Sequence, residues 1–186
     1  MSKLFVNERR KKLIENYYAN KLEDVELLID NVIDPHNVAA VSRTADALGI
    51  RRINLYYTYN KLPDLKNIGG KSSSSANKWI EYNSIFDLDC FVGVKRKEGW
   101  KFIGADAHSG AKRLDKFKFN GKMVLVFGQE KKGISEELKK KIDIFVKIPM
   151  VGMVESYNIS VAAALFMYEI YKQKGKKLKM REDYGK

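Results

Sequence analysis

At 186 residues and 45% hydrophobic, the chain has the length of one domain with a sizeable core, and none of its apolar runs approaches the roughly 20 residues that a membrane span needs. A single cysteine, Cys90, excludes an intramolecular disulfide and fits a reducing cytoplasm, while two histidines far from it leave no zinc spacing and argue against metal-dependent chemistry, a carboxylate-bound magnesium aside. The net charge of +12 sits mostly at the ends: residues 1–21 carry six Lys/Arg against two Glu, and residues 172–186 carry seven against two acidic residues. Such ends read either as solvated tails or as arms drawn to the phosphates of a nucleic acid. The charged start, Met1 to Lys12, has no apolar run behind it and is not read as a signal peptide.

In chain order, Phe5 to Tyr18 predicts a basic helix, and Glu26 to Ile33 a strand apolar enough to be buried on both faces. Asp34 and Pro35 suit the N-cap and first position of a helix that runs to about Leu48 and stops at Gly49. Arg52 to Tyr57 reads as a second strand, Lys61 to Asn77 as a flexible loop rich in serine and glycine, and Trp79 to Tyr82 as a short strand. Ser84 to Lys97 predicts a helix, Lys101 to Asp106 and Lys122 to Phe127 strands, Ser135 the cap of a short helix, Ile144 to Ile148 the last strand, and Tyr157 or Asn158 the start of the last helix. Alternation of strands and helices predicts an α/β fold with a mostly parallel sheet. It divides as a basic N-terminal helix (1–22), a central domain (23–171) and a basic C-terminal tail (172–186).

Three segments stand out, each beginning where a predicted strand ends: Asp34 to Thr44, Val126 to Ser135 and Ile148 to Ala164. In parallel sheets ligands sit beyond the carboxyl ends of the strands, so all three belong to one rim. Arg43 reads either as a surface arginine or as a clamp for a phosphate or oxyanion, with Asn37 near the same rim. Gly128 to Gly133 reads as a turn with a solvated Glu130 or as part of a site, and it lacks the spacing of a phosphate-binding P-loop. Ser156 and Asn158 could simply cap the last helix. That helix, Val161 to Phe166, is apolar on nearly every side and predicts burial against the domain or a second copy of the chain. His36 and His108 are acid–base candidates by type only, and no Ser-His-Asp arrangement is legible.

Together these segments resemble the SPOUT superfamily of S-adenosylmethionine-dependent RNA methyltransferases, and within it the TrmH (SpoU) branch that methylates ribose 2′-hydroxyls. The resemblance covers roughly Asp24 to Tyr171. It places Asn37 and Arg43 at first-motif positions, Glu130 in the second motif, and Ser156 and Asn158 in the third. The Asp34-Pro35-His36-Asn37 opening, Lys78-Trp79 and Ile148 to Val154 look most like the tRNA guanosine-2′-O-methyltransferases, which act on the D-loop guanosine at position 18. The resemblance implies a deep C-terminal trefoil knot, a homodimer, a tRNA or other structured RNA as partner, and S-adenosylmethionine held around Ala105, Gly128, Ile148, Met150 and Tyr157. It implies that Arg43 acts on the 2′-hydroxyl, as base or as charged stabiliser, with Asn37, Glu130, Ser156 and Asn158 positioning it and the ribose. The alternatives are ribosomal RNA or another tRNA nucleotide as substrate, or a non-catalytic RNA-binding relative. The chain departs from the family at Tyr157, where leucine is usual, at Ser72 to Ala76, and in a shorter C-terminal tail.

Overall fold

The computed structural model describes residues 8–62 and 79–175. The elements are α1 (Glu8–Ala19), β1 (Val25–Asp30), α2 (Pro35–Ala47), β2 (Arg52–Tyr56), β3 (Glu81–Ile85), α3 (Leu88–Lys97), β4 (Trp100–Ala105), β5 (Lys112–Arg113), β6 (Lys122–Phe127), α4 (Glu136–Lys139), β7 (Ile144–Lys147) and α5 (Ile159–Lys174). The strands form one seven-stranded sheet in the order β3-β2-β1-β6-β4-β7-β5, every pair parallel. The expected α/β class with a parallel sheet is therefore observed, and most of the serine- and glycine-rich loop expected over 61–77 falls outside the described residues.

Central strands are buried on both sides, which is why they read as nearly continuous apolar runs. Along β1, Leu27 and Ile29 face one core with Val38, Val41, Ala45, Phe166 and Met167, while Leu28 faces the other with Val92, Phe102, Val126 and Leu138. Helices α2 and α5 thus cover one face and α3 and α4 the other. Leu125, at the middle of β6, is fully buried between Leu27 of β1 and Ile103 of β4. Leu125→Ala is expected to cost about 2–5 kcal/mol, read as a lower urea midpoint with an unchanged denaturant slope.

Two elements depart from the sequence expectation. Ser84 and Ile85 belong to β3 rather than to a helix, because they continue the parallel pairing with Leu55 and Tyr56 of β2. The helix begins instead at Leu88, where the Asp87 side chain accepts from the Cys90 N–H at 2.9 Å. Strand β1 ends at Asp30, short of Ile33, because Asn31 adopts φ 53° and turns the chain out of the sheet. Helix α1 is anchored through Tyr17, whose hydroxyl donates to the Trp79 carbonyl at 2.8 Å and whose carbonyl accepts from Arg51 at 2.9 Å.

Candidate active site

The sheet order reverses between β1 and β6: the chain winds outward through β2 and β3, then returns to build β4, β6 and β7 on the other side. Such a switch point leaves a crevice at the carboxyl ends of the strands. A partly open cavity of about 220 Å³ lies there. Its walls come from the ends of β4 (Ala105), β6 (Gly128) and β7 (Ile148), from the following loop (Met150, Ser156, Tyr157), and from α5 (Ala162, Phe166). All five residues expected around the cofactor therefore line one cavity.

Gly128 allows the tightest approach in this wall. A Cβ built there would stand 2.1 Å from the Gly133 carbonyl carbon and 2.2 Å from the Ile134 nitrogen. The loop closes on itself because Gln129 and Gly133 exchange two backbone hydrogen bonds, at 3.0 and 2.8 Å, with Gly133 at φ 67°. Its far end is tied to β1 by the Ser135 N–H, which donates to the Asp30 carboxylate at 2.6 Å. Burial holds that carboxyl above the usual carboxylate range despite the bonds it accepts from Ser135 and Asn31.

A chain of side-chain hydrogen bonds joins the three segments. Asn37 donates from Nδ2 to Glu130 Oε1 at 2.5 Å, and Asn158 donates from Nδ2 to Asn37 Oδ1 at 3.1 Å. An ionised carboxylate only accepts, so Glu130 fixes the Asn37 amide and Asn37 in turn fixes that of Asn158. The Asn158 Oδ1 left over accepts from the Ser160 N–H at 2.8 Å and the Ser160 hydroxyl at 2.7 Å. Asn158 is thus both the N-cap of α5 and a link in this hydrogen-bonded chain.

The family described as SpoU rRNA Methylase matches residues 24–168. This chain belongs to that family. A tRNA (guanosine(18)-2'-O)-methyltransferase of Thermus thermophilus is 31% identical over 167 residues, covering 90% of this chain and 84% of the relative. The crystal structure of the A. aeolicus TrmH/SpoU tRNA modifying enzyme superposes with a TM-score of 0.78 at 25% identity, covering 91% of this chain and 85% of that one. The SpoU methyltransferase AviRb from Streptomyces viridochromogenes, solved in complex with AdoMet, superposes with a TM-score of 0.70 at 27% identity over 84% of this chain and 65% of that one.

Of the five predicted SpoU motif residues, Glu130 and Ser156 line the cavity, and Asn37 and Asn158 are linked to Glu130 by hydrogen bonds. Arg43 does not join them. It is exposed on α2, lines no part of the cavity, and its side chain makes no hydrogen bond or ion pair among the described residues. His36 is exposed, with its N–H given to Asp34 at 2.8 Å, and His108 Nδ1 accepts from the Gly110 N–H at 3.0 Å, as a turn residue does. Sequence reasoning missed Asp106, Gln129 and Lys147 in the cavity wall. Each follows a strand or closes it on the same rim, which is the signal that points to them. Among the described residues no three His, Cys, Asp or Glu side chains converge on a metal site.

Proposed function

We propose that this SpoU methyltransferase uses S-adenosylmethionine to methylate a ribose 2′-hydroxyl of tRNA, at the D-loop guanosine 18. The observation that carries the reading is the union of two things at one rim: a cavity with apolar and backbone walls, and the Glu130–Asn37–Asn158 chain beside it. The cavity suits the cofactor. Ala105, Ile148, Met150 and Tyr157 offer apolar and main-chain surface for an adenosine, and Gly128 leaves the loop backbone free to approach it. S-adenosylmethionine supplies a methyl group activated by its sulfonium.

The protein's own work is to orient the ribose and to favour the oxyanion that forms as the hydroxyl proton leaves. Arg43 carries a guanidinium with no competing partner among the described residues, free to take a substrate phosphate and the developing alkoxide. We therefore assign Arg43 as a charged stabiliser, with Asn37, Glu130, Ser156 and Asn158 positioning the loops and the ribose. Asn37→Ala cuts the chain at its centre and is expected to lower kcat about tenfold to a hundredfold, a loss of roughly 1.4–2.8 kcal/mol at the barrier. Asn37→Asp, which sets a second carboxylate against Glu130, is expected to lose at least as much. Single-turnover methyl transfer checks both.

We further propose a homodimer in which the segment after β7 threads a trefoil knot and α5 meets a second copy. Val161, Leu165 and Tyr168 repeat along one exposed side of α5, and Val151, Met153 and Val154 are exposed in the loop before it. An apolar surface of this kind marks an interface. Sedimentation of the chain and of Leu165→Glu distinguishes dimer from monomer. We propose a cytoplasmic enzyme, the location that a tRNA substrate implies. We propose that the basic charge of the end segments, 1–22 and 172–186, contributes to RNA binding by the domain of residues 23–171.

A further inference from the structure

Beside the Glu130 loop stands a constructed feature that the transfer reaction leaves unused. Asn31 is fully buried and sits at φ 53°, a conformation that side-chain-bearing residues rarely hold. Its Oδ1 accepts from three successive backbone N–H groups, those of Thr58 at 2.9 Å, Tyr59 at 3.2 Å and Asn60 at 3.3 Å. Its Nδ2 donates to Asp30 at 2.7 Å and to the Thr58 hydroxyl at 3.2 Å, and its carbonyl accepts from the Asn60 side chain at 2.7 Å. One buried side chain therefore fixes the whole turn that follows β2.

That turn presents Tyr59. The residue is 48% exposed, and the Lys132 ammonium stands 4.8 Å from the ring centroid. Lys132 lies two residues beyond Glu130, and its own N–H is held by Gln129 Oε1 at 3.1 Å. An aromatic ring and a cation thus reach solvent together on backbone anchored from both sides, next to the residue bonded to Asn37. A half-exposed tyrosine contributes little to the core, yet its N–H is held by the buried Asn31 side chain. Preorganisation of this kind lowers the cost of binding. The neighbouring Lys131 and Lys132 are both exposed, and the chain as a whole is strongly cationic, so the charge complements a polyanion.

We propose that Tyr59 and Lys132 form a subsite for an RNA nucleotide flanking the methylated one, its base stacked on the Tyr59 ring and its phosphate paired with Lys132. The proposal rests on the reading of the protein as an RNA methyltransferase. A nucleotide in a folded loop must be drawn out to expose its ribose, and its neighbours lose stacking as it leaves. An aromatic platform with an adjacent cation restores both interactions without reading the base.

The test uses the full chain, an unmodified tRNA transcript and the variants Tyr59→Ala, Tyr59→Phe and Lys132→Ala, with equilibrium tRNA binding measured across a range of KCl. Tyr59 holds its turn through backbone groups, so the Ala variant leaves the Asn31 bonds in place. Tyr59→Ala is expected to weaken tRNA binding roughly 5- to 100-fold and to raise KM for tRNA, with affinity for S-adenosylmethionine kept. Tyr59→Phe, which retains the ring, is expected to bind close to wild type. Lys132→Ala is expected to flatten the slope of log K against log salt by about one. Wild-type binding by Tyr59→Ala together with an unchanged salt slope for Lys132→Ala overturns the subsite and leaves the methyltransferase reading standing. Binding losses as expected, in a protein that transfers methyl to no RNA, support the subsite and sink the reading of the reaction. A wild-type protein that binds no tRNA overturns both.

Discussion

Arg43→Ala is expected to lower methyl transfer by about 10²–10³-fold, the usual cost of removing a group that stabilises a developing oxyanion, the role proposed for this residue. S-adenosylmethionine affinity should not change, because Arg43 lines no part of the cavity. Folding should not change either, because the side chain is exposed and makes no bond among the described residues. Arg43→Lys separates the two proposed roles. A lysine keeps the charge but loses the planar fork, so partial recovery indicates charge stabilisation, while no recovery indicates bidentate phosphate orientation. Single-turnover transfer with a saturating cofactor measures the chemistry, and calorimetric titration measures cofactor binding. Loss of cofactor binding in a folded Arg43→Ala protein contradicts the role assigned to this residue.

The second large effect is expected at Gly128. Its added Cβ would meet the backbone of Gly133 and Ile134 at 2.1–2.3 Å, and no flexible side chain is there to yield. The 129–134 loop must therefore shift, and with it Glu130 and one wall of the cavity. Overpacking of this kind costs about 1–3 kcal/mol. If that strain falls on the cofactor-ready loop, affinity drops roughly 5- to 150-fold. Gly128→Ala is thus expected to show weak S-adenosylmethionine binding, a lower unfolding midpoint, or both. Gly93→Ala is the matched control: nothing lies within 4 Å of its Cβ position on α3, and the exchange should stabilise that helix slightly. Normal cofactor affinity and stability in Gly128→Ala would refute the close-approach argument.

The central strands were legible in the sequence because burial on both faces leaves a nearly continuous apolar signature, and Lys122–Phe127 matches its expected bounds. The Asp34 cap and Pro35 start of α2 were equally plain. Strand β3 was legible only at its start: a short strand was expected over Trp79 to Tyr82, but Asn83 and Ser84, polar residues at the sheet edge, gave no sign that it runs on to Ile85. The two-residue β5, exposed at both positions, leaves no sequence signal at all. Within the site, Asn37, Glu130 and Asn158 could be named from their motifs, but their mutual bonds depend on β1 lying beside β6, a neighbour relation that no local pattern encodes. Asn31 escaped notice for a similar reason. Its role follows from one left-handed backbone angle and three N–H groups almost thirty residues away.

The most direct test of the central claim is transfer of labelled methyl from S-adenosylmethionine to unmodified bulk tRNA, followed by nuclease mapping of the product. The account predicts 2′-O-methylguanosine in the D-loop, at position 18. Methylation of a base, or of a ribose outside the D-loop, would contradict the assigned substrate. A protein that binds the cofactor yet methylates no RNA would contradict the reaction itself.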